Sequence, residues 1–208
     1  RHPLAGSLSK AHGKLFWITG ASFGDWVASD RQVEGGFITR PGVFSADGPD
    51  KGSRALLATL PPLKGRVGDL GAGWGYLARH ILEAGDVSHI DLIEADSVAL
   101  DCARANLSDP RARFIWADAT RFSAKVPFDV VVSNPPFHVG RAGDPDLGRA
   151  FIAAAARMLT PRGSFWMVAN RHLPYEETLA AAFRHVEEVG SEGGFKVFHA
   201  SHPSRRRA

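Results

Sequence analysis

The residues best able to do chemistry lie in Ser133-Asn134-Pro135-Pro136-Phe137-His138. Two consecutive prolines fix the backbone and remove two donors, so acceptors dominate what this segment offers. The Asn134 side-chain oxygen and the Pro135 carbonyl can both accept N–H bonds from one exocyclic amine. Such a nitrogen is a poor nucleophile because its lone pair is delocalised into the ring. Holding both hydrogens out of plane restores the lone pair's direction. Phe137 can stack on the base, a contact worth roughly 1–3 kcal/mol. Asn134 cannot act as a base, since an amide has no usable proton affinity at neutral pH. A rigid Asx-Pro turn would use the same residues for no chemistry. Features elsewhere in the chain argue for more than a turn.

Asp69-Leu70-Gly71-Ala72-Gly73-Trp74-Gly75 carries the most informative glycines. A strand running into a glycine turn and then a helix lets the backbone approach a ligand closely. The spacing is GxGxG, not the GxGxxG that sets a dinucleotide pyrophosphate on a helix N-terminus, which disfavours a dehydrogenase. A tight loop with no ligand would also use such glycines. Two acids strengthen the ligand reading. Glu94 closes the second strand, where a carboxylate can accept from both ribose hydroxyls, and Asp118 closes the third, where it or a neighbouring amide can meet an adenine edge. Three such features at successive strand ends point to a nucleoside-bearing cofactor.

These groups need a regular scaffold. From about Gly65, short apolar β-type runs alternate with helical patterns, which reads as a parallel α/β sheet. Residues 66–70, 89–93, 113–116 and 129–133 are predicted strands. They stop at the glycine turn, Glu94, Asp118 and Asn134, so every candidate group falls on one carboxyl edge. Residues 76–83 are a predicted helix with Leu77, Ile81 and Leu82 on one face and Gly85 to end it. Asp96 or Ser97 can cap a helix running to Asn106. An alanine-rich helix over 148–159 is expected to stop at Thr160-Pro161-Arg162-Gly163. A strand over 164–169 and a helix over 175–183 follow. Residues 186–189 and 194–200 should close the sheet as an antiparallel hairpin.

The expected fold is therefore α/β: a Rossmann-like, seven-stranded sheet with helices on both faces and a short N-terminal arm. In the arm, residues 14–18 and 32–40 read as strands, 41–52 as loop and 53–60 as helix before Pro61-Pro62. The division is expected to be an arm over 1–52 and a catalytic domain over 53–208. His12-Gly13-Lys14-Leu15-Phe16-Trp17 weakly echoes Gly193-Gly194-Phe195-Lys196-Val197-Phe198, as two short strands can by chance.

With these residues in view, a family resemblance stands out. NPPF after a fourth strand resembles the S-adenosylmethionine-dependent amino-methyltransferases acting on adenine N6, guanine N2 or glutamine N5. Pro41-Gly42-Val43-Phe44-Ser45, Asp47-Gly48, Gly52-Ser53, Val168-Ala169-Asn170, Leu173-Pro174-Tyr175 and Phe195-Lys196-Val197 narrow it. Together they look like the ribosomal RNA guanine-N2 methyltransferases of the small-subunit (16S) type, over residues 13–200. The resemblance implies methyl transfer from the methyl sulfonium of S-adenosylmethionine, leaving S-adenosylhomocysteine, without a metal. It places Gly71, Gly73 and Gly75 at the methionine part of the cofactor, Glu94 at the ribose and Asp118 at the adenine. Phe44 lies over the site, and Asp69, Ala72 and Asn134 complete the cofactor set. Asn134, Pro135 and Phe137 form the catalytic set, with Asn134 and Pro135 on the target amine. Lys196 matches a family position with no assigned role; it can equally be a snorkelling strand lysine.

The family also implies a degenerate methyltransferase-like domain in front of the catalytic one. The echo at His12 would fit a chain beginning at that domain's last strand, as a fragment or processed form. Adenine-N6 or glutamine-N5 methylation, or an inactive cofactor- or RNA-binding module, are the alternatives. Intact Asn134, Phe137 and Glu94 argue against the inactive one.

Composition sets the outer bounds. A chain of 208 residues with 44% hydrophobic and 23% charged residues can build a core without staples. Its one cysteine, Cys102, excludes an intrachain disulfide framework and reads as core packing. No apolar run approaches the ~20 residues of a membrane span, and no signal-peptide block is seen, so a cytoplasmic monomer is expected. Nine histidines lack metal-ligand spacing. His138 is notable only by position, and Trp74 either flanks the cofactor or packs. Net charge is +3, and Arg205, Arg206 and Arg207 can touch phosphate or simply be solvated. The expected partner is ribosomal RNA in a structured or assembled small subunit.

Overall fold

A computed structural model describes the chain except residues 1–3, 11–12, 25–28, 137, 140–141, 144 and 205–208. For 138–139, 142–143 and 192 it describes the backbone alone. Phe137, His12 and Arg205 to Arg207 thus lie outside the described residues.

In chain order the elements begin with strands β1 (Gly6–Lys10), β2 (Gly13–Trp17), β3 (Arg31–Val33) and β4 (Phe37–Thr39), then helix α1 (Lys51–Thr59). Next come β5 (Lys64–Leu70), α2 (Tyr76–Ala84), β6 (Asp86–Glu94), α3 (Ser97–Asn106), β7 (Ala112–Trp116) and β8 (Phe128–Ser133). A two-residue ribbon, β9 (His138–Val139) with β10 (Ala142–Gly143), precedes α4 (Pro145–Met158). The chain then forms β11 (Leu159–Asn170), α5 (Glu176–Ala182), β12 (Phe183–Glu192) and β13 (Phe195–Pro203).

Seven strands form one sheet in the order β12-β13-β11-β8-β5-β6-β7, with β13 antiparallel to both of its neighbours and the other pairs parallel. The order reverses on either side of β5, where β8 lies on one side and β6 on the other. That switch point is where open α/β sheets leave a crevice at their carboxyl edge.

The valine run of β8 shows why the strands read as continuously apolar. Val130 and Val132 enter the core under α1, α2 and α3, while Val131 enters the opposite core under α4 and α5. Helices cover both faces, so no strand position there can be polar without cost. The caps follow the same local logic. The Asp50 carboxylate accepts from Ser53 N–H at 3.0 Å to start α1, and Asp96 accepts from Val98 N–H at 2.8 Å to start α3.

The arm departs from expectation in three ways. Residues 32–40 are not one strand; a 3-10 turn over Glu34–Gly36 folds β3 back onto β4 as a hairpin. Helix α1 begins at Lys51, two residues before the expected start, because Asp50 caps it. The third is packing. Phe37 and Val43 form a small core of their own with Trp74, Ala99 and Cys102. Asn106 fastens it, accepting from Ile38 N–H at 2.6 Å and donating to the Ile38 and Trp74 carbonyls at 2.9 and 2.8 Å. The β1–β2 hairpin stands apart, with Leu8, Leu15, Phe16 and Trp17 exposed.

Thr160-Pro161-Arg162-Gly163 ends α4 as expected but does not form a loop. It enters β11 through a bulge between Leu159 and Ser164, where Pro161 withholds no ladder donor.

Candidate active site

The crevice at the carboxyl edge has two parts. The larger, about 370 Å³, is walled by Glu94, Ala95, Asp118, Ala119, Pro136, Leu147 and Phe151. The smaller, about 40 Å³, is bounded by Ser45, Asp50, Ser53, Ala72, Trp74 and Leu77. Phe44, Gly71, Gly73 and Asn134 border both. The structure therefore brings together at one edge most of the residues singled out above.

The glycine turn is tied to the neighbouring strand. Gly71 and Ala72 donate to the Ile93 carbonyl at 2.9 and 3.2 Å, and Gly73 N–H donates to Glu94 Oε2 at 2.8 Å. Asp96 N–H donates to the other Glu94 oxygen at 2.8 Å. Each carboxylate oxygen keeps a further lone pair for a ligand hydroxyl. A Cβ on Gly73 would meet nothing within 4 Å, so this face of the turn is open to the crevice. Gly75 is different. Its φ is +86°, a left-handed backbone that favours glycine at the entry to α2, and a Cβ there would also press on the Leu107 side chain 2.5 Å away.

At the end of β8 the Ser133 hydroxyl donates to the Leu70 carbonyl at 2.7 Å, locking the proline segment to the end of β5. The Asn134 amide nitrogen donates to Asp50 Oδ2 at 2.8 Å and to Ser53 Oγ at 2.9 Å. Its oxygen, Oδ1, is buried and has no partner among the described residues. Pro135 is buried behind it and Pro136 lines the crevice. An amide oxygen of this kind is a ready acceptor for an amine delivered through the larger part.

Other predicted residues fall as follows. Phe44 is 59% exposed at the junction of the two parts, and its carbonyl accepts from Trp74 Nε1–H at 3.0 Å. Trp74 is itself buried against Phe37 and Tyr76, so it is an anchor for the arm. Asp118 lines the crevice while accepting from Thr120 Oγ1 at 2.6 Å and Thr120 N–H at 2.9 Å; the hydroxyl bond above all lowers its pKa. Lys196 does not snorkel. It is buried, ion-paired with Glu176 and 5.3 Å from the Phe198 ring centroid. Among the described residues, no group of three or more His, Cys, Asp and Glu could hold a metal ion, and no helix is long and apolar enough to cross a membrane.

Asp69 lies beneath the turn, wholly buried, with neither oxygen in a hydrogen bond of good geometry. Burial first, and then the charge of Glu94, push its pKa up to about 8, against a small opposing pull from the Ala78 N–H of α2. The ordinary value is 3.8, so folding is penalised progressively as pH rises from there to about 8 and unpenalised below it. Asp69→Asn, which cannot ionise, should thus melt several degrees above the wild type at pH 8 and converge with it near pH 4. Thermal unfolding of the ligand-free pair at both pH values checks this; a difference independent of pH would refute it.

Sequence reasoning gave no role to Asp50, Ser53 and Asn106, and left Trp74 between flanking the cofactor and packing. Asp50 has a local signal, a carboxylate three residues before Ser53 at a helix start. Nothing local links it to Asn134.

Residues 34–199 match the family model of the methyltransferase small domain. The ribosomal RNA small subunit methyltransferase C of Salmonella choleraesuis is 35% identical over 190 residues, covering 90% of this chain and 55% of the relative. That of a Shewanella species (strain MR-4) is 34% identical over 158 residues, covering 76% and 46%. The chain thus spans about half the length of the curated relatives it matches. Among solved structures, a T. thermophilus 16S rRNA N2 methyltransferase in complex with AdoMet and guanosine superposes with a TM-score of 0.68 at 31% identity, over 84% of this chain and 50% of that one. A Haloferax volcanii methyltransferase complex at 18% identity and a TM-score of 0.58 shares the fold.

Proposed function

The chain belongs to the methyltransferase small-domain family, and from that membership we propose that it moves a methyl group from S-adenosylmethionine to the N2 amine of a guanine in ribosomal RNA. The observation that carries this reading is the unpartnered Asn134 oxygen beside the glycine turn and Glu94. An exocyclic amine is the group such an oxygen completes. The 31% identity to a 16S rRNA N2 methyltransferase solved with AdoMet and guanosine supports guanine over other amines.

The crevice suits the cofactor: the open face of Gly73 leaves room at the turn, Glu94 keeps lone pairs for ribose hydroxyls, and Ile93 and Ala95 offer an apolar wall. Bound there, S-adenosylmethionine supplies an electrophilic methyl carbon and departs as S-adenosylhomocysteine. Phe44, Asp69, Gly71, Ala72, Gly73 and Gly75 would surround it, with Glu94 on the ribose and Asp118 near the base. Asn134 Oδ1 and the Pro135 carbonyl would each take one amine hydrogen and aim the nitrogen lone pair at that carbon. Phe137 would stack on the guanine. Transfer is then a single in-line displacement in which positioning supplies most of the rate. No side chain need act as base, because the methylated cationic nitrogen sheds its proton to solvent or a nearby carbonyl.

On this reading the arm of residues 1–52 serves a catalytic domain of 53–208 by holding Phe44 and Asp50 over the crevice. The substrate is ribosomal RNA structured or assembled in the small subunit, which presents a base already unstacked and spares a cost of a few kcal/mol. The enzyme works as a cytoplasmic monomer, without a metal. Digestion of RNA treated with the protein and labelled cofactor, followed by nucleoside mass spectrometry, should give N2-methylguanosine. N6-methyladenosine, or methylated glutamine in a protein, would overturn the substrate assignment.

A further inference from the structure

We infer that Asp50 is a positioning residue of the transfer, fixing which edge of the Asn134 amide faces the crevice. The inference rests on the methyl-transfer reading above. An amide has two ends of nearly equal size and opposite hydrogen-bonding sense. Turned one way, Asn134 offers an acceptor to the target amine; turned the other way, it offers N–H groups to N–H groups and holds nothing.

The orientation is set by what lies behind the amide. Asp50 Oδ2 and Ser53 Oγ both receive the Asn134 nitrogen, at 2.8 and 2.9 Å. The serine hydroxyl cannot discriminate, because it donates as readily as it accepts. A carboxylate only accepts, so Asp50 requires the NH₂ edge to face it and leaves Oδ1 buried and unpartnered at the crevice. An isolated amide would not choose to leave a buried acceptor unmade. The same Asp50 oxygen takes the Ser53 N–H at 3.0 Å at the start of α1, so the helix cap holds the carboxylate in place.

The test uses that double role. Serine caps helices as well as aspartate does, so Asp50→Ser keeps α1 and should melt like the wild type. Its shorter side chain serves the Ser53 N–H alone, which leaves the Asn134 amide to the Ser53 hydroxyl and lets it sample both orientations. We expect kcat to fall about 10- to 100-fold, the kinetic equivalent of one charge-assisted hydrogen bond. Cofactor affinity by calorimetry should stay within about twofold, since the bond lost does not reach the cofactor. Ser53→Ala should change kcat by no more than about threefold, within the range of one neutral hydrogen bond.

The decisive variant is Asp50→Asn. Its amide oxygen must face the Ser53 N–H to cap α1, and that is the oxygen the Asn134 nitrogen also reaches. The acceptor behind Asn134 is therefore kept, and kcat should stay within about threefold of the wild type, well above Asp50→Ser. A wild-type kcat in Asp50→Ser, a loss in Asp50→Asn as large as that in Asp50→Ser, or an equal loss in Ser53→Ala would each overturn the positioning role. A wild-type protein that makes no methylated product would overturn the functional reading and this inference with it.

Discussion

Asn134→Ala is expected to lose methyl transfer by a factor of about 10²–10³, the usual cost of removing one preorganised polar group from a reacting centre. Cofactor affinity should remain near that of the wild type. The asymmetry follows from where the Asn134 oxygen points. It is the one buried side-chain acceptor of the proline segment, among the described residues, that has no protein partner. On the proposed reading its partner in the reaction is the amine, whose hydrogens become more acidic and leave the ring plane as the nitrogen begins to bond carbon. The hydrogen bond therefore strengthens towards the transition state, and its loss falls on kcat. Single-turnover kinetics with saturating RNA, paired with calorimetry of cofactor binding, separates the two quantities. A variant with wild-type kcat would remove Asn134 from the mechanism.

Glu94→Ala should weaken cofactor binding about 100-fold, from the loss of two charge-assisted hydrogen bonds each worth about 1.5–3 kcal/mol gross. The structure adds a second reason. Glu94 also receives the Gly73 and Asp96 N–H groups, joining the glycine turn to the loop after β6. Removing the carboxylate releases both amides, so the turn loses its latch as well as the ligand its acceptor. Glu94→Gln should lie between the two proteins, because its amide oxygen can still accept while its NH₂ opposes one of the two backbone donors. Calorimetry with S-adenosylhomocysteine tests the series. Wild-type affinity in Glu94→Ala would sink the ribose assignment.

Much of this molecule is determined by short-range signals. The runs that became β5, β6 and β8 are apolar because the inner part of each strand is buried on both faces, and such runs are visible without any partner in view. Strand ends at Leu70, Glu94 and Ser133 are marked by glycine, an acid and Asn134-Pro135. A parallel sheet puts consecutive carboxyl ends on one edge, so the sequence by itself determined the fold class and brought the strand-end groups Gly71, Glu94 and Asn134 to one edge.

Long-range contacts decided the rest. The split of residues 32–40 into a hairpin depends on its packing against α3, through Asn106 bonded to Ile38 across 68 positions. Lys196 is buried because Glu176 comes to meet it, where a strand lysine taken alone would reach for solvent. Asp50 and Asn134 are 84 positions apart, and each has a sufficient local explanation, one as a helix cap and the other as a strand-ending turn. Local propensity is blind to whether two such side chains share a hydrogen bond. Only the tertiary structure, by closing the arm over the end of β8, decided which edge of the Asn134 amide faces the crevice.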